Sequence, residues 1–177
     1  MSNQATSRAE AEPLFDSTYA ALAFAYRYST QQYQPTPMAR LMRGSIGSGK
    51  GLVGLDGAAQ AGLIRAIVET LPEFERCAVV ARFALDQRES LGAKLVLIRP
   101  ATASLGTGVH DRRMVDNLVQ RFYGQRCHLK DIAKVYGVHA NTITERWACI
   151  NRMLTGLEHR AIDKAEAAFQ EAGLVPW

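Results

Sequence analysis

Four short polar side chains, His139, Asn141, Thr144 and Glu145, stand close together in the segment Leu129–Trp147 and could hydrogen-bond to the edges of DNA bases in a major groove. The residues around them have the types needed to build a helix-turn-helix. Ala133 is small where two helices would cross, Gly137 can take the positive φ of a tight turn, and Val138 can plug the hollow between the helices. Ile143, Trp147, Ile150 and Leu154 then make a buried stripe, with the polar quartet opposite and Arg146 beside it as a further DNA-contacting candidate. A plain helix hairpin with a solvated polar face satisfies the same stripe. Agreement of several anchors at once favours DNA binding.

The distribution of charge points the same way. The 177 residues carry 21 Lys and Arg against 17 Asp and Glu, for a formal charge of +4. That total alone says little about a partner. Between Asp111 and Arg160, however, nine basic residues (Arg112, Arg113, Arg121, Arg126, Lys130, Lys134, Arg146, Arg152 and Arg160) face five acidic ones (Asp111, Asp116, Asp131, Glu145 and Glu158). This segment alone holds the equivalent of the whole net charge. A phosphate footprint is the economical reading, with Lys130, Arg126 and Arg152 as the leading phosphate contacts.

A second stretch could carry different chemistry. Gly44-Ser45-Ile46-Gly47-Ser48-Gly49-Lys50-Gly51 satisfies the G-x-x-x-x-G-K half of a phosphate-binding loop. The match fails at Gly51, where Ser or Thr would hold magnesium. The preceding Met38–Arg43 also lacks the alternation of a presenting strand. A P-loop nucleotide-binding protein is therefore the minor alternative. A flexible linker and a cationic arm, in which Arg40, Arg43 and Lys50 meet nucleic acid or polymerase, are equally balanced readings. Cys127 and His128 are adjacent and Cys77, Cys149, His110, His139 and His159 are scattered, so no metal site, catalytic residue or cofactor is expected.

These candidates need elements to position them. The hydrophobic fraction of 47% and charged fraction of 21% fit a compact chain with a real core. The predicted fold is all-α, a multi-helix domain with a C-terminal helix-turn-helix and a Gly-rich basic loop. Residues 1–14 are expected to form a disordered tail. Residues 15–110 are expected to form an N-terminal helical part, with a loop at 43–57 and a helix hairpin at 57–86. Residues 111–177 carry the helix-turn-helix and a C-terminal helix.

Within the first part, Tyr19, Leu22, Ala23 and Tyr26 follow the cap candidates Asp16-Ser17-Thr18 at helical spacing. Leu63, Ile64, Ile67, Val68 and Leu71 predict one apolar face, and Phe74, Ala78, Ala81 and Leu85 another, beginning after Pro72. Leu95–Ile98 is read as the end of a helix stopped before Pro100, with a short strand as the alternative. In the second part, Met114, Val115, Leu118, Val119 and Phe122 make a helix opened by Asp111 and closed by Gly124. The first twelve residues lack a signal-peptide pattern, and no stretch approaches the roughly 18 apolar residues of a membrane span. A reduced, cytoplasmic protein without membrane partners is expected.

Two regions together carry a family resemblance. Leu71-Pro72-Glu73-Phe74-Glu75-Arg76, followed by Val79-Val80-Ala81-Arg82-Phe83, resembles the L-P-x-x-E-R … R-F start of sigma region 4. The segment Leu129–Trp147 resembles its second half, although the gap is longer than in an ordinary sigma domain. With the Tyr19–Tyr26 helix, the Gly-Lys-Gly loop and Leu55–Gly62, the layout over roughly residues 15–172 is similar to the Q-type late-gene antitermination proteins of lambdoid bacteriophages. The resemblance implies a transcription antitermination factor that binds double-stranded DNA at a late promoter. It also implies loading onto bacterial RNA polymerase carrying a sigma factor at a promoter-proximal pause, and passage through terminators beside the nascent RNA. The setting would be the host bacterial cytoplasm. One branch of that family has a zinc-binding cysteine cluster; this sequence lacks it and is closer to the zinc-free branch. The alternative is a simple helix-turn-helix repressor or activator.

Overall fold

The computed structural model describes residues 13–32, 55–106, 108 and 111–177. The expectations for Arg40, Arg43, Lys50, the phosphate-loop-like motif and residues 1–12 lie outside the described residues. Among the described residues the chain is all-helical: α1 (Thr18–Gln32), α2 (Leu55–Glu69), α3 (Glu73–Phe83), α4 (Gln87–Ser104), α5 (Arg112–Phe122), α6 (Leu129–Val135) and α7 (Ala140–Glu171). At 1.5 Å per residue, α7 runs about 48 Å and packs against every other described helix. It is the spine of the fold.

Local chemistry sets the ends of these helices. Ser17 Oγ accepts from the Ala20 N–H at 3.2 Å at the start of α1. Asp86 and Asp111 each accept two backbone N–H groups and cap α4 and α5. Gly124, at φ +95°, terminates the region after α5 where a side chain would be strained. The helix of residues 87–104 does not stop before Pro100 but runs through it to Ser104. Its last turn gains side-chain bonds from Thr102 Oγ1 to the Ile98 carbonyl (2.8 Å) and from Ser104 Oγ to the Ala101 carbonyl (2.7 Å). Leu97, Ile98 and Ala101 are buried on either side of the proline, so packing outweighs its missing N–H.

The pairing of helices differs from the hairpin expected at 57–86. α2 packs chiefly on α1, and α3 packs chiefly on α4. Gly57 belongs to α2 rather than to a loop, and it is buried against Tyr28. A Cβ there would come within 2.8 Å of the Tyr28 ring, so this glycine permits close packing of α1 and α2. Three predicted core positions also face outward. Tyr19 stands on the exposed side of α1 with its ring edge-on to Phe83 at 5.2 Å. Leu63 is exposed on α2, and Leu85 lies beyond the end of α3.

One buried cluster extends from Phe15 to Val175 and includes residues on both sides of the expected boundary at 110/111. α5 packs mainly on α4 across that boundary. Leu14, assigned to the tail, packs against this core, and the Phe15 N–H donates to the Leu174 carbonyl at 2.9 Å. The ends of the described chain are thereby tied together.

Ion pairs fasten α3 to α7. Arg82 Nε and Nη2 donate to the two carboxylate oxygens of Glu158 at 2.8 and 2.9 Å, a bidentate pair. The same guanidinium lies 5.1 Å from the Phe122 ring and 5.2 Å from the Tyr123 ring. Burial, reinforced by Glu158, pushes the Tyr123 hydroxyl pKa far up; burial, reinforced by Arg82, pushes the Lys94 ammonium down. Buried Glu75 binds Lys164 at 2.7 Å and Arg160 at 3.5 Å. Glu75, in the first turn of α3, therefore joins two helices.

Candidate nucleic-acid interface

The turn between α6 and α7 is built as its residues require. Ile132 and Ala133 are buried and seat α6, while Gly137 adopts φ +61°. The Val138 N–H donates back to the Ala133 carbonyl at 2.9 Å, and the Val138 side chain packs against the core. Tyr136 is held to α5, where Asn117 Nδ2 donates to its hydroxyl oxygen at 2.9 Å. His139 then begins α7: its Nδ1 accepts the Asn141 backbone N–H at 3.2 Å. The side chain that starts the helix therefore also has a fixed ring orientation.

Ile143, Ile150 and Leu154 are fully buried, and Trp147 is half-buried. With 3.6 residues per turn, Asn141, Glu145, Ala148 and Arg152 fall on the opposite side of α7. All four are exposed, as are His139 and Thr144 at the margin of this stripe. The face is continuous. It contains the four proposed base-contacting residues and Arg152, while Arg126 and Lys130 are exposed on the preceding segment.

Arg146 is placed differently from these. It is half-buried, with Nη1 against Met114 Sδ at 3.2 Å, so its guanidinium is directed to α5. Arg121 is also internal: it donates to the Cys127 carbonyl and lies 5.2 Å from the Trp147 ring. Arg160 is drawn to Glu75. Of the nine basic residues counted in the segment, the remaining six are Arg112, Arg113, Arg126, Lys130, Lys134 and Arg152. These are exposed and form no ion pair among the described residues.

In the sequence, Arg112, Arg113 and Lys134 stand out only as charge. Lys130 and Lys134 are four apart on one helix, a spacing that brings their ammonium groups to a common side. That spacing is the signal by which Lys134 could have been found. Of the acids in the segment, Asp111 is engaged in capping α5 and Glu158 in holding Arg82. Around the turn this leaves six exposed cations against Asp116, Asp131 and Glu145, so the balance there stays positive.

Other chemistries find little support in the described geometry. No group of three potential metal-binding side chains occurs among the described residues. Cys77 is a buried free thiol, Cys127 is half-buried and Cys149 is exposed. The depression between Tyr19, Arg82, Glu158 and Ile162 has no room for a small-molecule ligand. No helix among the described residues is long and apolar enough to cross a membrane. Compared with protein-family models and with curated proteins, the sequence finds no match.

Proposed function

We propose that this protein is a double-stranded-DNA-binding transcription factor without enzymatic activity, using α6 and α7 as a helix-turn-helix. The observation that carries this reading is the exposed polar stripe of α7, set opposite its buried stripe and bordered by cations that form no ion pair among the described residues. A solvated helix face satisfies the stripe by itself; the cations without an acidic partner among the described residues are what a phosphate backbone would add. Hydrogen-bonding side chains at the beginning of a helix can enter a major groove while Arg126, Lys130 and Arg152 meet phosphates. Arg146 supports the helix against α5 in this arrangement.

Within that class we propose antitermination, the function implied by the likeness to the Q-type phage proteins. The protein would bind DNA at a late promoter, modify a bacterial RNA polymerase paused with its sigma factor and carry it through terminators. The N-terminal helices would supply polymerase contacts, and the cytoplasm would be the site of action.

Two measurements test the reading in sequence. Titration of fluorescent duplex DNA with the full chain should give binding that weakens steeply with salt. A purified transcription system carrying the late-promoter region should then show terminator read-through. Intact DNA binding with unchanged termination would reduce the function to that of a simple repressor or activator. Absence of DNA binding at low salt would remove both forms of the proposal.

A further inference from the structure

The hydrogen bonds within the exposed face of α7 limit what each side chain can offer to a ligand. The Asn141 backbone N–H can only donate, so His139 Nδ1 must hold a lone pair in the bond between them. The neutral ring then carries its proton on Nε2. His139 presents a donor to the outside. Thr144 Oγ1 lies 2.9 Å from the Ala140 carbonyl, which can only accept, so the hydroxyl proton is committed to the helix. Thr144 presents only lone pairs. Glu145 as a carboxylate also only accepts, and the Asn141 side-chain amide, with no partner among the described residues, keeps both a donor and an acceptor. The face is therefore rich in acceptors where DNA phosphates are themselves acceptors.

This asymmetry restricts the bases it can meet. Major-groove donors are the amino groups of adenine and cytosine; guanine N7 and O6 and thymine O4 accept. A carboxylate set against guanine would meet two acceptors and no donor. We infer that α7 reads a duplex in which an adenine lies opposite Asn141 and a cytosine opposite Glu145, with Thr144 accepting from an amino group beside them. His139 donates to a phosphate oxygen or to a purine N7. The two reading positions are four residues apart, about 6 Å along the helix, which spans one to two base-pair steps. The inference rests on the DNA-binding reading above. Beyond that reading it names the sequence the protein selects.

The experiment is selection of random DNA duplexes by the full-length protein, repeated with Asn141→Ala and Glu145→Gln. Wild type should enrich a motif containing adenine and cytosine within two steps of each other. Glu145→Gln should reduce the preference for cytosine at one position by about tenfold and move it toward adenine, which a glutamine amide can pair. Asn141→Ala should remove the adenine preference alone. Circular dichroism of both variants should match wild type, because the substituted side chains are exposed. Salt-dependent binding without an enriched motif would overturn the inference and leave the broader DNA reading standing. A motif with guanine at the position sensitive to Glu145 would do the same. No binding to any duplex at low salt would overturn both.

Discussion

The two halves of α7 use charge differently. In its C-terminal half two acid–base clusters cross to α3, where Glu158 takes both arms of Arg82 and buried Glu75 draws in Lys164 and Arg160, while Asp163, Glu166 and Glu171 stay exposed without an ion pair among the described residues. Near its N-terminal end, Glu145 and Arg152 are exposed without an ion pair among the described residues, as are the neighbouring Arg126 and Lys130. The far half buries Leu157, Ala161, Ala165 and Phe169, whereas the near half buries a narrower stripe through Ile143, Ile150 and Leu154. One continuous helix thus couples a region pinned by cross-helix ion pairs with one whose Asn141, Glu145 and Arg152 side chains face outward. Displacement of the exposed face would require bending the helix or breaking its packing.

The largest expected change lies in the pinned half. Phe169→Ala removes a fully buried ring and should lower unfolding free energy by about 3–5 kcal/mol, measured by chemical denaturation. Glu158→Ala leaves Arg82 without its bidentate acceptor. Partial exposure of the arginine moderates the loss, which should be about 2 kcal/mol in the same measurement. DNA affinity per folded molecule should change little in either variant. A selective loss of DNA binding in Glu158→Ala, at conditions where the protein is fully folded, would show that the two halves are functionally coupled.

The N-terminal half should respond in the reverse manner. Asn141→Ala is expected to leave the denaturation midpoint nearly unchanged and to cost about 1–3 kcal/mol in affinity for the selected DNA site. Equal losses for unrelated sequences would count against base reading by Asn141. A smaller structural effect is expected in the turn. Gly137 has φ +61°, and a Cβ at this position would meet open space. Gly137→Ala should therefore destabilise by about 1 kcal/mol, through backbone strain alone. A much larger loss on denaturation of that variant would point to a steric conflict instead.

The contrast between the halves was only partly legible in the sequence. Local signals served well where the causes are local: Asp111 and Gly124 bracket α5, and Gly137 and Val138 mark the turn before α7. The stripe of Ile143, Ile150 and Leu154 identifies the buried side, which leaves Asn141 and Glu145 outside. Arg146 was not assignable in this way. Its flexible stem can reach either solvent or a neighbouring helix, and Met114 on α5 provides the neighbour. The hairpin at 57–86 failed for a related reason. Proximity along the chain favoured α2 with α3, but the actual partners depend on α7, and Arg82 and Glu158 are 76 residues apart. Pro100 misled because a local break signal was overcome by burial on both sides.

The finest test compares two cations of unequal fate. Lys130 is exposed and forms no ion pair among the described residues, whereas Arg160 is directed to buried Glu75. If Lys130 neutralises a phosphate, Lys130→Ala should weaken binding to all duplexes and reduce the slope of log affinity against log salt by about one. Its stability should stay within about 0.5 kcal/mol of wild type. Arg160→Ala removes the same unit of charge but should leave the salt slope unchanged, because that charge already acts within the fold. Equal decreases in slope would mean that net charge alone governs binding. A decrease confined to Lys130 would instead connect binding to the exposed cations around the turn.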